Sequence, residues 1–215
     1  MPKISPSSII IYNQCPKKYF FYSRGYPQIL SSEAEFGRRI HEEIANYYKN
    51  IPKLISLSEV AFYAGKYLSD ELIRDNFIRF EKERLKYFHP LPEAIEQSFE
   101  RNVFHGVVDV IFKSKDKRIC VDWKSGYTVN RFEYQVQAAI YKYITQVDEV
   151  WFVNLRFNKI TKFKDFDIDR IKECISKFVS GVQSGKFERV IGEHCEKCEY
   201  RVVCKLKEEG FYECI

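Results

Sequence analysis

Apolar residues recur at helical spacing through the first part of the chain, then switch to the alternation of strands after Pro92. From Ser32 to Asn50, SEAEFGRRIHEEIANYYKN places Gly37, Ile40, His41, Ile44 and Tyr48 on one helix face. The stretch SLSEVAFYAGKYLSDELIRDNFIRFEKERLKYF keeps that period without a proline and predicts one long helix or two short ones, ended by Pro90 and Pro92. Upstream, SPSSIIIYNQCPKKYFFYSRGY opens on Ser and Pro, which start helices, and continues as a dense apolar and aromatic run. AIEQSFERN, VFHGVVDVIFKS and RICVDWKSG are short, rich in β-branched and aromatic residues, and separated by turn formers, so they predict three neighbouring antiparallel strands. FEYQVQAAIYKYIT returns to the helical period, EVWFVNLRFN and ITKFKDF predict further strands, and DIDRIKECISKFVSGVQSG predicts an Asp-capped helix ending at Gly185. The order predicts a mixed α/β core with a helical N-terminal region.

At 215 residues, 45% of them apolar and 16% aromatic, the chain can bury a core over most of its length. No linker or repeat divides it, so it is expected to form one unit whose two ends join in an accessory lobe. The 35 basic and 30 acidic side chains leave a charge of +5, compatible with a nucleic-acid partner without establishing one, because the basic residues are scattered. No apolar run reaches the roughly 18 residues of a membrane span, and the N-terminus lacks a secretory pattern. The expected location is the cytoplasm, where clustered thiols favour metal binding over disulfides. Cys195, Cys198 and Cys204 form such a cluster, C-x2-C-x5-C, one thiolate short of a four-thiolate site; Cys15, Cys120, Cys174 and Cys214 lie apart.

The segment GVVDVIFKSKDKRICVDWKSG carries the most informative chemistry. Alternation puts His105, Val107, Asp109 and Ile111 on one face of the first strand, and Arg118, Cys120, Asp122 and Lys124 on one face of the second. If the strands pair through the turn near Asp116, Asp109 and Asp122 lie side by side. Two carboxylates in an apolar sheet raise each other's pKa unless a cation separates them, and a hard divalent ion such as Mg²⁺ or Mn²⁺ resolves the conflict. Lys124 points into the same space, where it can hold an attacking water or a phosphate oxygen. An ordinary solvated hairpin is the bland alternative, but an unpaired charge is costly to bury in segments this apolar.

GVVD followed by VDWKSG resembles the PD-(D/E)xK nucleases, and the surroundings resemble their RecB-like branch. GRRIH supplies the early helical histidine of that branch, His41, and QAAIY supplies its Q-x-x-x-Y pair, Gln137 and Tyr141, with Gln135 competing for the glutamine role. The resemblance implies a restriction-endonuclease-like mixed sheet flanked by helices. It implies that His41, Asp109, Asp122 and the backbone carbonyl of Trp123 hold Mg²⁺ or Mn²⁺, while Lys124 orients the nucleophile and Gln137 and Tyr141 position the DNA backbone. His105 is read as structural or near the substrate.

One subset of RecB-like nucleases pairs an N-terminal cysteine with three C-terminal ones around an iron–sulfur cluster. YNQCPKKYFFY resembles the opening segment of that subset, which makes Cys15 the partner of Cys195, Cys198 and Cys204. The cofactor implied is an iron–sulfur cluster, [4Fe–4S] ahead of [2Fe–2S]; structural zinc is the rival, and Cys214 is the substitute ligand if Cys15 is not one. Residues 1–30 and 186–215 would then form the cluster lobe and 31–185 the nuclease core with its helical insertion. Size and layout resemble the CRISPR-associated Cas-four exonucleases, or an archaeal viral relative. That likeness implies a 5′→3′ exonuclease on single-stranded DNA or frayed ends, with CRISPR integrase proteins as candidate partners in spacer acquisition. A non-catalytic DNA-end-binding subunit is the alternative. The aromatic residues Tyr19, Phe20, Phe21 and Tyr22, beside Lys17 and Lys18, fit either base stacking or a core.

Overall fold

The computed structural model describes residues 3–127 and 131–208; Cys214 lies outside them. The chain divides into two compact units, one of Met1–Ser5 with Phe36–Phe166, the other of Pro6–Glu35 with Asp167–Ile215.

The first unit is built on a five-stranded mixed sheet in sequential order: β1 (Ala94–Arg101), β2 (Phe104–Lys113), β3 (Arg118–Lys124), β4 (Glu149–Asn154) and β5 (Lys159–Phe163). The first three strands form the expected antiparallel meander, β4 runs parallel to β3, and β5 returns antiparallel. A parallel pair needs a long crossover, and helix α6 (Arg131–Thr145) lies within this one. Helix α3 (Ser32–Asn50, its residues from Phe36 onward in this unit), α4 (Glu59–Tyr67) and α5 (Glu71–Arg84) supply the larger apolar layer. Ile40, Ile44, Tyr47, Tyr48 and Phe77 pack there with Val110, Phe112, Ile119, Val121 and Trp123, the alternate residues of β2 and β3. The open choice between one helix and two resolves as two: Leu68 is extended, and Asp70 caps α5 by accepting from the Ile73 N–H at 3.0 Å.

Helix α6 packs over β1, β2 and β4, and its approach depends on Gly106. A Cβ there would lie 3.1 Å from the Tyr141 ring and 3.2 Å from Ile144, tighter than most packed contacts. At the start of β4, buried Glu149 accepts from Trp151 Nε1 at 2.7 Å and pairs with Lys117 at 2.7 Å and Lys164 at 3.0 Å. Burial pushes its carboxyl pKa up, but these donors outweigh burial and hold it at about 2, against an ordinary 4.5. A folded-state pKa below the unfolded one contributes stability that is present above the ordinary carboxylate range and lost as pH falls towards 2. Glu149→Gln should therefore flatten the acid limb of stability between about pH 5 and 2 and cost about 1–3 kcal/mol at neutral pH, as read by urea denaturation.

The second unit contains α1 (Pro6–Gln14), α2 (Pro16–Ser23), α7 (Ile168–Gln183), a 3-10 turn (Glu193–Cys195) and α8 (Arg201–Glu208). Pro16 disfavours helical backbone at the residue before it, so Cys15 is extended (φ −160°, ψ 110°) and the N-terminal run breaks into two helices. Asp167 caps α7 as expected. Tyr12, Tyr19, Phe178 and Phe187 pack mostly edge to face. At Gly181 a Cβ would fall 1.7 Å from the Tyr12 hydroxyl, so a larger residue cannot stand there without moving α1. Tyr19 and Phe21 are buried, Lys17 lies over the Phe20 and Phe21 rings, and Lys18 pairs with Glu199 at 2.9 Å. Of the two readings of this aromatic stretch, the core is where Tyr19 and Phe21 belong.

Candidate active site

The site forms where the sheet's pairing lapses. The β1–β2 ladder pairs Ile95 with Val110 and Gln97 with Val108 but passes over Glu96 and Asp109 between them. Glu96 has a left-handed backbone (φ 46°), unusual for a residue with a side chain and commonly kept for a functional reason. The β2–β3 ladder ends at Val110 and Val121, so Asp109 and Asp122 are the next opposed residues, just beyond the last pair. Asp109 Oδ2 accepts from the Trp123 N–H at 2.7 Å and lies 3.2 Å from His41 Nδ1 on α3.

Asp122 is 2% exposed. Its Oδ1 accepts from Gln137 Nε2 at 2.8 Å. Its Oδ2 sits 2.5 Å from Lys124 Nζ as a buried ion pair, and no other donor reaches this oxygen. Burial pushes the Asp122 carboxyl up to about 6 although Lys124 pulls the other way, and Asp109 adds to the rise. Burial pushes the His41 imidazole down, but the adjacent Asp109 carboxylate prevails and raises it to about 9. Lys124, which burial alone would push down, is held up by Asp122; its ammonium also lies over the rings of Phe152 and Tyr134 and donates to Gln137 Oε1 at 3.2 Å. Charge within the site is balanced, His41 against Asp109 and Lys124 against Asp122.

Gln137 and Tyr141, one turn apart on α6, complete the network. Gln137 Nε2 lies 2.9 Å from the Tyr141 hydroxyl, which itself donates to the Val107 carbonyl at 2.9 Å. Gln137 rather than Gln135 reaches the carboxylate. Cys120 is fully buried, its thiol pushed well up by burial and by Asp122. The Trp123 ring packs in the core against Phe77 and Phe80. His105 donates its backbone N–H to the Ile4 carbonyl.

Sequence reasoning missed Glu96. His41, Glu96 and Asp109 each offer a donor atom within 4.8 Å of the others, a set able to hold a metal ion. Counting back along the hairpin from the pair Arg101–Phe104 would have put Glu96 opposite Asp109, but nothing in alternation singles it out. The added donor is a hard oxygen, as Mg²⁺ and Mn²⁺ prefer. Asp122 stands outside this set of three, its Oδ2 held against the Lys124 ammonium. The residues present fit a divalent cation.

In the second unit, Cys15 is buried between α1 and α2, and the Cys198 thiol is pushed up, chiefly by burial. Cys198 and Cys204 pack on Phe21, Tyr200 and Val203, while Cys195 lies 3.8 Å from His194 Nε2. Among the described residues, no three of these sulfurs lie within 4.8 Å of one another.

The five-stranded mixed sheet, flanked by helices, carries opposed carboxylates and a lysine where β2 and β3 part. Among known families, residues 3–205 match the PD-(D/E)XK nuclease superfamily. The chain belongs to that superfamily, whose members are typically nucleases that use Mg²⁺ or Mn²⁺. Among solved structures, a protein designated SSO0001 is similar over 95% of this chain and 86% of its own, with 13% identity and a TM-score of 0.45. No curated protein matches the sequence. No described helix is long and apolar enough to cross a membrane.

Proposed function

We propose that the protein is a metal-dependent deoxyribonuclease acting on single-stranded DNA or DNA ends. The observation that carries this reading is the buried Asp122 carboxylate, paired on one oxygen with Lys124 alone and opposed to Asp109, which itself meets His41. Asp109, Asp122, His41, Glu96 and the Trp123 carbonyl would hold Mg²⁺ or Mn²⁺. When bound, such an ion lowers the pKa of a coordinated water and stabilises charge on the phosphate. His41 must give up its proton to become a ligand. Lys124, already cationic, orients the attacking water and offsets the negative charge that develops on phosphate oxygens. Gln137 and Tyr141 spend their polar groups on Asp122, Lys124 and the Val107 carbonyl, so we assign them to fixing the carboxylate and the lysine rather than the DNA backbone.

Glu96 offers a test independent of turnover. Glu96→Gln should weaken Mn²⁺ binding about tenfold or more by calorimetry. Glu96→Gly, which suits the left-handed backbone, should weaken it as much while leaving the melting temperature unchanged or higher. Unaltered Mn²⁺ affinity in both variants would remove Glu96 from the ligand set.

The finer expectations come from the family resemblance: exonucleolytic cleavage, 5′→3′ polarity, and a setting in CRISPR spacer acquisition beside integrase proteins or in an archaeal virus. DNA labelled at one end or the other reads the polarity directly. Cys15, Cys195, Cys198 and Cys204 would hold an iron–sulfur cluster, [4Fe–4S] ahead of [2Fe–2S], within a lobe built from both ends of the chain. What supports it is the donor type and the position of all four in one unit. Anaerobically purified protein should be brown and contain iron. Cys15→Ser should bleach it and lower its melting point well below that of Cys174→Ser; colourless zinc-loaded protein would assign the thiolates to zinc instead.

A further inference from the structure

Beyond the last pair of the parallel strands β3 and β4 stands an alternating series of rings and guanidinium groups, with Arg39, Tyr127 and Phe157 exposed and Phe36 and Arg156 half-buried. In open α/β sheets ligands commonly bind outside the carboxyl ends of the strands, which is where this series stands. Lys124 pairs with Asn154 at that edge, and the Leu155 N–H returns to the Lys124 carbonyl at 2.8 Å. The Arg156 guanidinium is centred 4.2 Å from the Tyr127 ring and 5.1 Å from Phe36, and Arg39 lies 5.2 Å from Phe36. Phe157 meets Tyr127 edge on at 6.2 Å between centroids.

This arrangement is held in place rather than merely exposed. Asn154, 4% exposed, donates to the Gly126 carbonyl at 3.0 Å and accepts from the backbone N–H groups of Arg156 and Phe157 at 3.0 and 3.1 Å. Arg156 donates through Nε to the Ser125 carbonyl at 2.8 Å and through Nη1 to the Tyr127 hydroxyl at 2.9 Å. Arg39 keeps a loose contact with Glu43 at 3.8 Å. Yet Tyr127 is 63% exposed and Phe157 52% exposed, so two rings three residues past β3 and β4 stay in water with a cation between Tyr127 and Phe36.

We propose that Phe36, Arg39, Tyr127, Arg156 and Phe157 form a stacking track for single-stranded DNA leading to the Asp109–Asp122–Lys124 site. Exposed aromatic rings offer π-faces to unpaired bases, and the guanidinium groups stack with them or meet phosphates. The bases of a duplex are already stacked on one another, so the track selects unpaired DNA. This deepens the nuclease reading and rests on it.

The test uses the full chain carrying Asp122→Asn to prevent cleavage, with a fluorescent oligothymidylate and a duplex of equal length compared by anisotropy. Adding Tyr127→Ala and Phe157→Ala together should weaken oligothymidylate binding at least about tenfold and leave duplex binding within about twofold. Tyr127→Phe, which keeps the ring and loses only the hydroxyl, should retain the affinity, so a merely structural role is separated from stacking. Equal oligothymidylate affinity with and without the two rings overturns the track, as does equal loss for single strand and duplex, or no binding by the Asp122→Asn parent. Failure of the nuclease reading shows separately, as wild type that leaves DNA intact in Mn²⁺; failure of the track alone shows as a wild type that cleaves while the ring variants bind unchanged.

Discussion

Asp122→Asn should degrade single-stranded DNA at least about a thousandfold more slowly than wild type in Mn²⁺, yet melt at a higher temperature when both are metal-free. The two halves have one cause. A carboxylate pushed up to about 6 against an ordinary 3.8 is disfavoured as an anion in the folded state. For this raised acid the sign is the reverse of the usual one: its cost is present at neutral pH and is relieved as pH falls through about 6 towards 4. Asparagine removes the charge and retains an acceptor for Gln137 Nε2. Each kcal/mol recovered is worth roughly 2–4 °C in a chain of this size. Adding Mn²⁺ should reverse the order, because only the wild type gains by binding it. Paired loss of stability and activity would instead mean that Asp122 serves the fold.

The largest loss of stability should follow Arg84→Ala, about 3–5 kcal/mol or roughly 6–20 °C in melting temperature. Arg84 and Glu81 have no exposed side-chain surface and meet as a two-pronged pair, Nε to Oε1 at 2.6 Å and Nη2 to Oε2 at 2.8 Å. Tyr48 donates to Oε1 at 2.7 Å and Tyr47 to Oε2 at 3.4 Å. The guanidinium also donates to the carbonyls of His89 and Pro90 and lies 4.2 Å over the Phe112 ring. Burial, reinforced by Glu81, pushes the Tyr48 hydroxyl well up, so the tyrosine stays neutral and keeps its proton for donation. Removing Arg84 strands a carboxylate in the core, whereas Glu81→Leu with Arg84→Met should cost much less than the two single changes summed. Additive costs by urea denaturation would mean that the pair is not coupled.

The meander was legible because Val110, Phe112, Ile119 and Val121 commit one strand face to the core. The opposition of Asp109 and Asp122, one step past the last ladder pair, follows from that alternation together with the turn near Asp116. Glu96 was not legible: alternation along the edge strand β1 does not single it out, and only the register of the β1–β2 hairpin sets it opposite Asp109, within reach of His41. Helical spacing alone could not choose between Gln135 and Gln137; contact with Asp122 does. Contacts between distant segments, such as Tyr12 against Gly181, leave no local trace beyond the glycine itself. Helix α8 also went unread, because its eight residues carry too short an apolar pattern to be distinguished from the adjoining cysteine segment.

The central claim is metal-dependent cleavage at the Asp109–Asp122–Lys124 site. Its most direct test is incubation of labelled single-stranded DNA with wild-type protein in Mn²⁺ and in EDTA, with Asp109→Asn in Mn²⁺ alongside. Degradation is expected from wild type in Mn²⁺ alone. Intact DNA in every sample, or equal degradation in all three, would contradict it.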